Sequence, residues 1–376
     1  MIYLDYAATT PVNKEVLDSF CKVSLEYPGN PNSLHKLGVE SKKLMDAATH
    51  QVASLLNVKD TEVIFTSGAT ESNNTAIMGI VDKYKERGKH IITTKLEHSS
   101  ILATMNYLKN NGYTVDYVKI TEDGLIDLDN LKELLNKDTV LVSICCVNSE
   151  IGLRMNVEEV GEILKDYPRT IFHVDGTQAI GKTKVDLKNI DLFSCSAHKI
   201  YGLKGVGALI KKENIDIEPI LHGGKSQTVF RSGTPALALI VSMAKAMKLV
   251  LTDFDEHEKY ILSLKNKIKE SIKDIDYIYV NEGINTVPNV LNMSVMGVKP
   301  ETLLHALEEK DIYISTKTAC SSDSGVSLSV YTLTHDEERS LHSIRVSLSH
   351  LTKEDEVEEF IKVFKEKAEE LHSLRG

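Results

Sequence analysis

The sequence predicts an α/β protein: a mostly parallel central sheet with helices on both faces, plus a smaller α+β unit. Three observations carry this. From residue 62 to 210, short β-branched runs alternate with helical patterns, as expected for strands buried on both faces. After the glycine-rich connection His222-Gly223-Gly224 the alternation becomes less regular. At 376 residues the chain is long enough for one large domain and a smaller one. The expected division is a large domain over 12–250 and a small domain formed by 1–11 and 251–376.

Ala7-Ala8-Thr9-Thr10-Pro11 leads into a helix near Val12. Gly29-Asn30-Pro31-Asn32-Ser33 is a loop by composition, and a long helical pattern follows from about His35 to Leu56. Strands are expected at Glu62–Thr66, His90–Thr93, Tyr113–Val118, Thr139–Cys145, Thr170–Val174, Asp191–Cys195 and Gly207–Ile210. Helices at Thr70–Arg87, Ser99–Asn110, Leu128–Leu135 and Val157–Lys165 separate the earlier ones. Ala236 to about Lys269 reads as one long helix. Beyond it come strands near Tyr277–Val280, Val290–Val295, Tyr313–Ser315 and Ser343–Leu348, with helices over 300–310 and 353–373. There is no internal repeat and no low-complexity tract.

The charge balance, 44 Lys and Arg against 54 Asp and Glu, is net −10. That argues against a nucleic-acid or anionic-membrane surface. No apolar run approaches the roughly 20 residues that span a bilayer. Met1-Ile2-Tyr3-Leu4-Asp5-Tyr6 lacks the basic-then-apolar layout of a secretion leader, so a cytoplasmic location is expected. The five cysteines (Cys21, Cys145, Cys146, Cys195, Cys320) are odd in number and none are spaced C-x-x-C. Neither a disulfide framework nor a metal site is expected.

Five constellations carry chemistry. Lys199, in Ser196-Ala197-His198-Lys199-Ile200-Tyr201-Gly202, follows a buried strand and is flanked by small residues. An amine there becomes nucleophilic when desolvation or a cationic neighbour lowers its pKa. Thr66-Ser67-Gly68-Ala69-Thr70-Glu71 joins a strand to a helix, where free N–H groups and hydroxyls suit a phosphate; an ordinary helix cap is an equal reading. Asp175, ending a strand in His173-Val174-Asp175-Gly176-Thr177-Gln178, can pair with a protonated ring nitrogen. His98, just past a strand end, can stack on a ring or move protons. Cys320 lies in a Ser/Thr/Gly-rich segment beside Lys317, and Arg345 projects from a strand in a way that suits capture of a carboxylate.

Together with Tyr3 to Pro11, Gly29-Asn30-Pro31, Glu150-Ile151-Gly152, Arg231-Ser232-Gly233-Thr234 and Ala319-Cys320, these segments resemble the cysteine desulfurases of the NifS/IscS type. Those are pyridoxal 5'-phosphate (PLP) enzymes of the class V aminotransferase group with fold type I. The resemblance covers essentially the whole chain. It implies that Lys199 carries PLP as a Schiff base, Asp175 pairs with the pyridinium nitrogen and Gln178 contacts the ring hydroxyl. His98 would stack on the ring and help move protons. Ala69, Thr70, Ser196 and His198 would hold the phosphate, with Thr234 reaching the phosphate of the neighbouring subunit in a homodimer. Asn30 and Arg345 would bind the substrate carboxylate. Cys320 would take sulfur from L-cysteine, leaving alanine and a persulfide destined for an acceptor protein, such as an iron–sulfur scaffold or a tRNA-thiolation enzyme.

The chain departs from the family pattern at Ser149, where the family has an asparagine touching the ring hydroxyl, and at Lys225, Gln227-Thr228 and Lys317. The alternatives are a selenocysteine lyase or another enzyme acting on a β-substituted amino acid, and a non-catalytic sulfur-transfer scaffold.

Overall fold

Residues 1–224, 227–316 and 325–374 are described by the structure, a computed structural model. In chain order it begins with β1 (Ile2–Tyr3), α1 (Lys14–Glu26) and α2 (Lys36–Leu55). There follow β2 (Val63–Thr66), α3 (Ala69–Lys83), β3 (His90–Thr93), α4 (Ser99–Asn110), β4 (Thr114–Tyr117) and α5 (Leu128–Leu134). Next come β5 (Thr139–Cys145), α6 (Val157–Leu164), β6 (Ile171–Asp175), β7 (Leu192–Ser196) and β8 (Gly207–Lys211). The remainder holds α7 (Leu237–Thr252), α8 (Phe254–Ile272), β9 (Ile278–Val280), β10 (Val290–Val295), α9 (Pro300–Glu308) and β11 (Ile312–Tyr313). It ends with α10 (Leu328–Thr334), α11 (Glu337–Leu341), β12 (Ser343–Ser347) and α12 (Glu354–Ser373).

Seven strands form one sheet in the order β2-β8-β7-β6-β5-β3-β4. Only β8 runs against the rest, antiparallel to both β2 and β7. Apart from the edge strand β4, the strands are buried along their whole length because both faces are covered, as β-branched runs demand. Val142, Ile144, Phe172, Val174 and Phe193 point into one core. Leu141, Ile171, Leu192 and Leu209 point into the other, against Ile77 and Ile80 of α3 and Ile101 of α4. Each such side chain contributes about 1.5–3 kcal/mol on burial. The strand order reverses between the neighbours β3 and β5, the chain leaving β3 toward β4 and β5 toward β6, so ligand space opens beyond the carboxyl ends of the central strands.

A second core collects under the antiparallel sheet β12-β10-β9, with Leu291, Met293, Ile344 and Val346 facing Phe360 and Phe364 of α12. The single helix expected over 236–269 is two helices, broken at Asp253 (φ −111°, ψ 32°). The reason is burial. Ile240, Met243 and Met247 of α7 face the large core, whereas Ile261, Leu264 and Ile268 of α8 face the small one. One straight apolar stripe cannot serve both. Thr252 also donates back to the Lys248 carbonyl (2.8 Å), which loosens the end of α7.

Two short helices, α10 and α11, were not expected. Ser327 and Asp336 cap them, accepting from the N–H of Val330 (3.1 Å) and Arg339 (3.0 Å).

The first residues join the parts. Ile2–Tyr3 pairs in parallel with Ile312–Tyr313. Asp5 bridges to Ser347, and the Ser347 hydroxyl accepts from the Ala7 N–H at 2.9 Å. The Thr10 N–H and hydroxyl then donate to the His198 carbonyl at 2.9 and 3.0 Å. Among the described residues no helix is long and apolar enough to cross a membrane.

Candidate active site

Strand ends and the N-terminal segment enclose a cavity of about 780 Å³. Its walls include Asp5, Ala7, His98, Asp175, Lys199 and Arg345. A wider groove of about 1330 Å³ near Leu56, Lys184 and Phe254 takes in none of the sequence-predicted site residues.

Lys199 is set by the turn after β7. Ala197–Lys199 make one 3-10 turn, closed by Ile200 N–H on the Ala197 carbonyl (3.0 Å). Tyr201 then turns the chain in a left-handed conformation (φ 63°), unfavourable for so bulky a residue. It is held there by Thr10, which accepts its N–H at 2.7 Å, and by Ser349, 2.6 Å from its hydroxyl. The Lys199 amine donates to the carbonyls of Ala7 (2.6 Å) and Ala8 (2.7 Å). Burial first, and the Arg345 guanidinium second, bring its pKa down to about 8. It is therefore a nucleophile near neutral pH.

Asp175 ends β6, and both its oxygens are engaged. Oδ1 accepts from the Thr177 N–H (2.9 Å) and Oδ2 from Asn73 Nδ2 (2.8 Å). Each oxygen retains acceptor capacity for a cationic N–H. Gln178 is buried one turn further on and donates to the Ala7 carbonyl at 2.9 Å.

At the other end of the cavity Gly68 is the N-cap of α3 and makes no side-chain cap bond. The N–H groups of Ala69 and Thr70 thus open the helix toward the cavity, as do Ser196 and His198. Burial pushes the His198 ring down to about 4, so it is neutral there and bonds Thr9 through Nδ1 (3.2 Å).

His98 caps α4, its Nδ1 accepting from the Ser100 N–H at 3.1 Å. The proton of the neutral ring is then on Nε2. Although the ring opens to the cavity, desolvation by the surrounding walls holds its pKa below the ordinary value.

Arg345 is not an exposed strand arginine: it is 3% exposed. It pairs with Asp5 (2.7 Å) and donates to the Ser149 carbonyl (3.0 Å), while its Nε has no partner among the described residues. Ser149 itself lines the cavity.

The structure thus brings together Ala69, Thr70, His98, Ser149, Asp175, Gln178, Ser196, His198, Lys199 and Arg345. Asn30 and Thr234 are exposed and do not line the cavity; Asn30 accepts from the Asn32 N–H (3.0 Å). Cys320, Lys225 and Lys317 lie outside the described residues.

Asn73 escaped the sequence reading, and other site residues lie in segments singled out there without a role of their own. Asn73 joins Asp175 to Ser100 (3.0 Å), and its sequence signal was a polar residue four positions before Ile77 on the apolar stripe of α3. Glu97 is fully buried, accepts from Thr94 (2.7 Å) and the Cys145 N–H (3.0 Å), and burial pushes it up to about 8. Asp5, Ala7 and Ala8 lie in the Tyr3 to Pro11 segment that carries the family resemblance, but nothing in the sequence gave them a role at the site.

A desolvated amine between an uncapped helix start and a strand-end carboxylate, on an α/β scaffold, is suited to amine-nucleophile chemistry. The chain belongs to the class-V aminotransferase family, which it matches over residues 2–360. It is 40% identical over 372 residues to a NifS/IcsS protein homolog of Lactobacillus delbrueckii subsp. bulgaricus, covering 97% of each. It is 39% identical over 380 residues to a cysteine desulfurase IscS of Neisseria meningitidis serogroup C, covering 99% of this chain and 93% of that one. A solved NifS-like protein shares the fold with a TM-score of 0.91 at 34% identity, over 97% of this chain and 98% of that one. The resemblance and fold read from the sequence are borne out.

Proposed function

We propose that this chain is a PLP-dependent L-cysteine desulfurase that converts cysteine to alanine and leaves a persulfide on Cys320. The observation that carries the reading is one cavity holding the Lys199 amine, the Asp175 carboxylate and the uncapped start of α3.

The residues present fit PLP by their donor and acceptor chemistry. The amides of Ala69 and Thr70, with Ser196 and His198, offer donors for a dianionic phosphate. Asp175 offers an acceptor for a protonated ring nitrogen, and Gln178 a donor for a ring oxygen. PLP bound there would supply an electron sink for the Cα–H bond of the amino acid.

The chain's own groups do the rest. The Lys199 amine, with its pKa near 8, takes and returns the proton at Cα. Nε2–H of His98 faces the same cavity and provides a second proton position. Arg345 takes the substrate carboxylate in a bidentate grip, displacing part of its hold on Asp5.

Cys320 supplies the thiol that bonds the substrate sulfur. The substrate's C–S bond breaks, Cβ takes a proton, and the products are alanine and the Cys320 persulfide. The thiols of Cys145, Cys146 and Cys195 are buried and pushed far up, so they are poor nucleophiles. The domain division at 12–250, a homodimer with Thr234 serving the second site, and Asn30 at the carboxylate belong to the same reading. So does delivery of the sulfur to an acceptor protein.

The test is alanine release from L-cysteine by the PLP-loaded protein, with mass analysis of the peptide holding Cys320. Wild type should release alanine and gain one sulfur on that peptide. Lys199→Ala should abolish release, and Cys320→Ser should abolish both. Full alanine release by Cys320→Ser would overturn the persulfide role and favour a selenocysteine-lyase type of enzyme. A protein that takes up no PLP would overturn the whole reading.

A further inference from the structure

Lys182 is a buried lysine for which the chemistry above has no use. It is 7% exposed and follows Gly181, whose φ of 72° turns the chain back on itself. An added Cβ at Gly181 would lie 2.5 Å from Val250 Cγ2, so this reversal needs glycine. The reversal carries the Lys182 amine back over one turn to Oε1 of Gln178, to which it donates.

A terminal amide has no orientation of its own, and its neighbours decide which end is the oxygen. Here two neighbours agree. Lys182 donates, and its acceptor is Oε1. The Ala7 carbonyl only accepts, so Nε2 must face it, at 2.9 Å. That same carbonyl accepts from the Lys199 amine at 2.6 Å. Lys182, Gln178, Ala7 and Lys199 therefore form one hydrogen-bonded chain ending at the nucleophile.

Holding an amine there is costly. The charged groups acting on Lys182 are Lys199 and Arg345, both cationic, and with burial they drive its pKa well below the usual lysine range. An apolar side chain of similar volume would be easier to bury. A group kept against stability points to a task.

We infer that Lys182 is a positioning residue, which locks the Gln178 amide so that it can only donate to the ring oxygen of the bound cofactor. The inference rests on the PLP reading above. Without Lys182, Oε1 of Gln178 would lose that donor, and the Ala7 carbonyl alone would hold the amide in this orientation.

The experiment compares wild type, Lys182→Met, Gln178→Ala and the double variant as purified holoenzymes. It reads three quantities: the pH midpoint of the bound cofactor's absorption, PLP affinity by equilibrium dialysis, and Tm of the cofactor-free protein. A donor lost from a phenolate-like oxygen makes that oxygen more basic. Lys182→Met should therefore raise the midpoint by about 1 pH unit and weaken PLP affinity, while Tm holds or rises. Gln178→Ala should act in the same direction, and Lys182→Met should add nothing in that background.

An unchanged midpoint in Lys182→Met would overturn the inference. So would a shift that persists undiminished in the Gln178→Ala background, because that is a direct charge effect. A lower Tm with an unmoved midpoint would mean a structural role only. If wild type itself bound no PLP, the functional reading would fall first, and the two failures are thereby separable.

Discussion

At the residue scale the behaviour of Lys199 is set first by burial, which lowers its pKa, and then by opposing charges. Arg345 lowers its pKa, whereas Asp5 and Asp175 raise it. Imine formation with PLP needs the neutral amine, so the rate of PLP capture by the cofactor-free protein should rise with pH through a midpoint near 8. Arg345→Gln should move that midpoint up and Asp5→Asn should move it down. Stopped-flow absorbance across the pH range reads both, and parallel shifts would sink the assignment. The same group also fixes a stability trend. Between pH about 8 and the ordinary 10.5, the unfolded chain keeps a proton that the folded chain has released. The cofactor-free protein should therefore gain stability with rising pH in that window. Lys199 and Asp175 were legible in the sequence because each follows an apolar run that marks a strand end, and Gln178 through the family resemblance. The parts played by Asp5, Ala7 and Ala8 were not. Two of them act through backbone oxygens that carry no side-chain signature, and their partners lie 191 to 340 positions away.

At the element scale, the start of α3 depends on how closely β8 approaches it. A Cβ added at Gly207 would lie 2.6 Å from the Cys195 carbonyl oxygen and 2.7 Å from Gly68 Cα. Both are backbone atoms, which cannot swing aside. Gly207→Ala should push Gly68 out of place, cost about 1–3 kcal/mol, and loosen the anion-binding turn. The check is paired: Tm should fall, and PLP affinity should fall in the same variant. Retained affinity at lowered Tm would show that the turn tolerates the displacement. The strands of the large sheet were readable because burial on both faces leaves continuous β-branched runs. The break at Asp253 was not readable, since each half of 236–269 is a good helix by itself. Only the existence of two separate cores forces the stripe to change direction.

At the scale of the whole molecule, the cavity is shared between two cores. Lys199, Asp175 and the start of α3 stand on the large sheet, and Arg345 stands on β12 above Phe360 and Phe364. Phe360 is fully buried and stacks on Phe364 at 5.4 Å. Phe360→Ala should cost about 3–5 kcal/mol, concentrated in the small core. On the proposed roles the expected outcome is a raised KM for cysteine, with PLP uptake nearly intact, since Arg345 loses its support while Lys199 and Asp175 keep theirs. Equal losses in both would show that the cores do not act separately. The pairing of Ile2–Tyr3 with Ile312–Tyr313 has a further consequence, for biosynthesis. Asp5 meets Arg345 only when 340 more positions have left the ribosome. At about 5–20 residues per second that interval is roughly 17 to 70 s. Lys199 is made partway through that interval and Arg345 only at its end, so the Asp5–Arg345 pair is completed after the Lys199 side of the cavity has been synthesised.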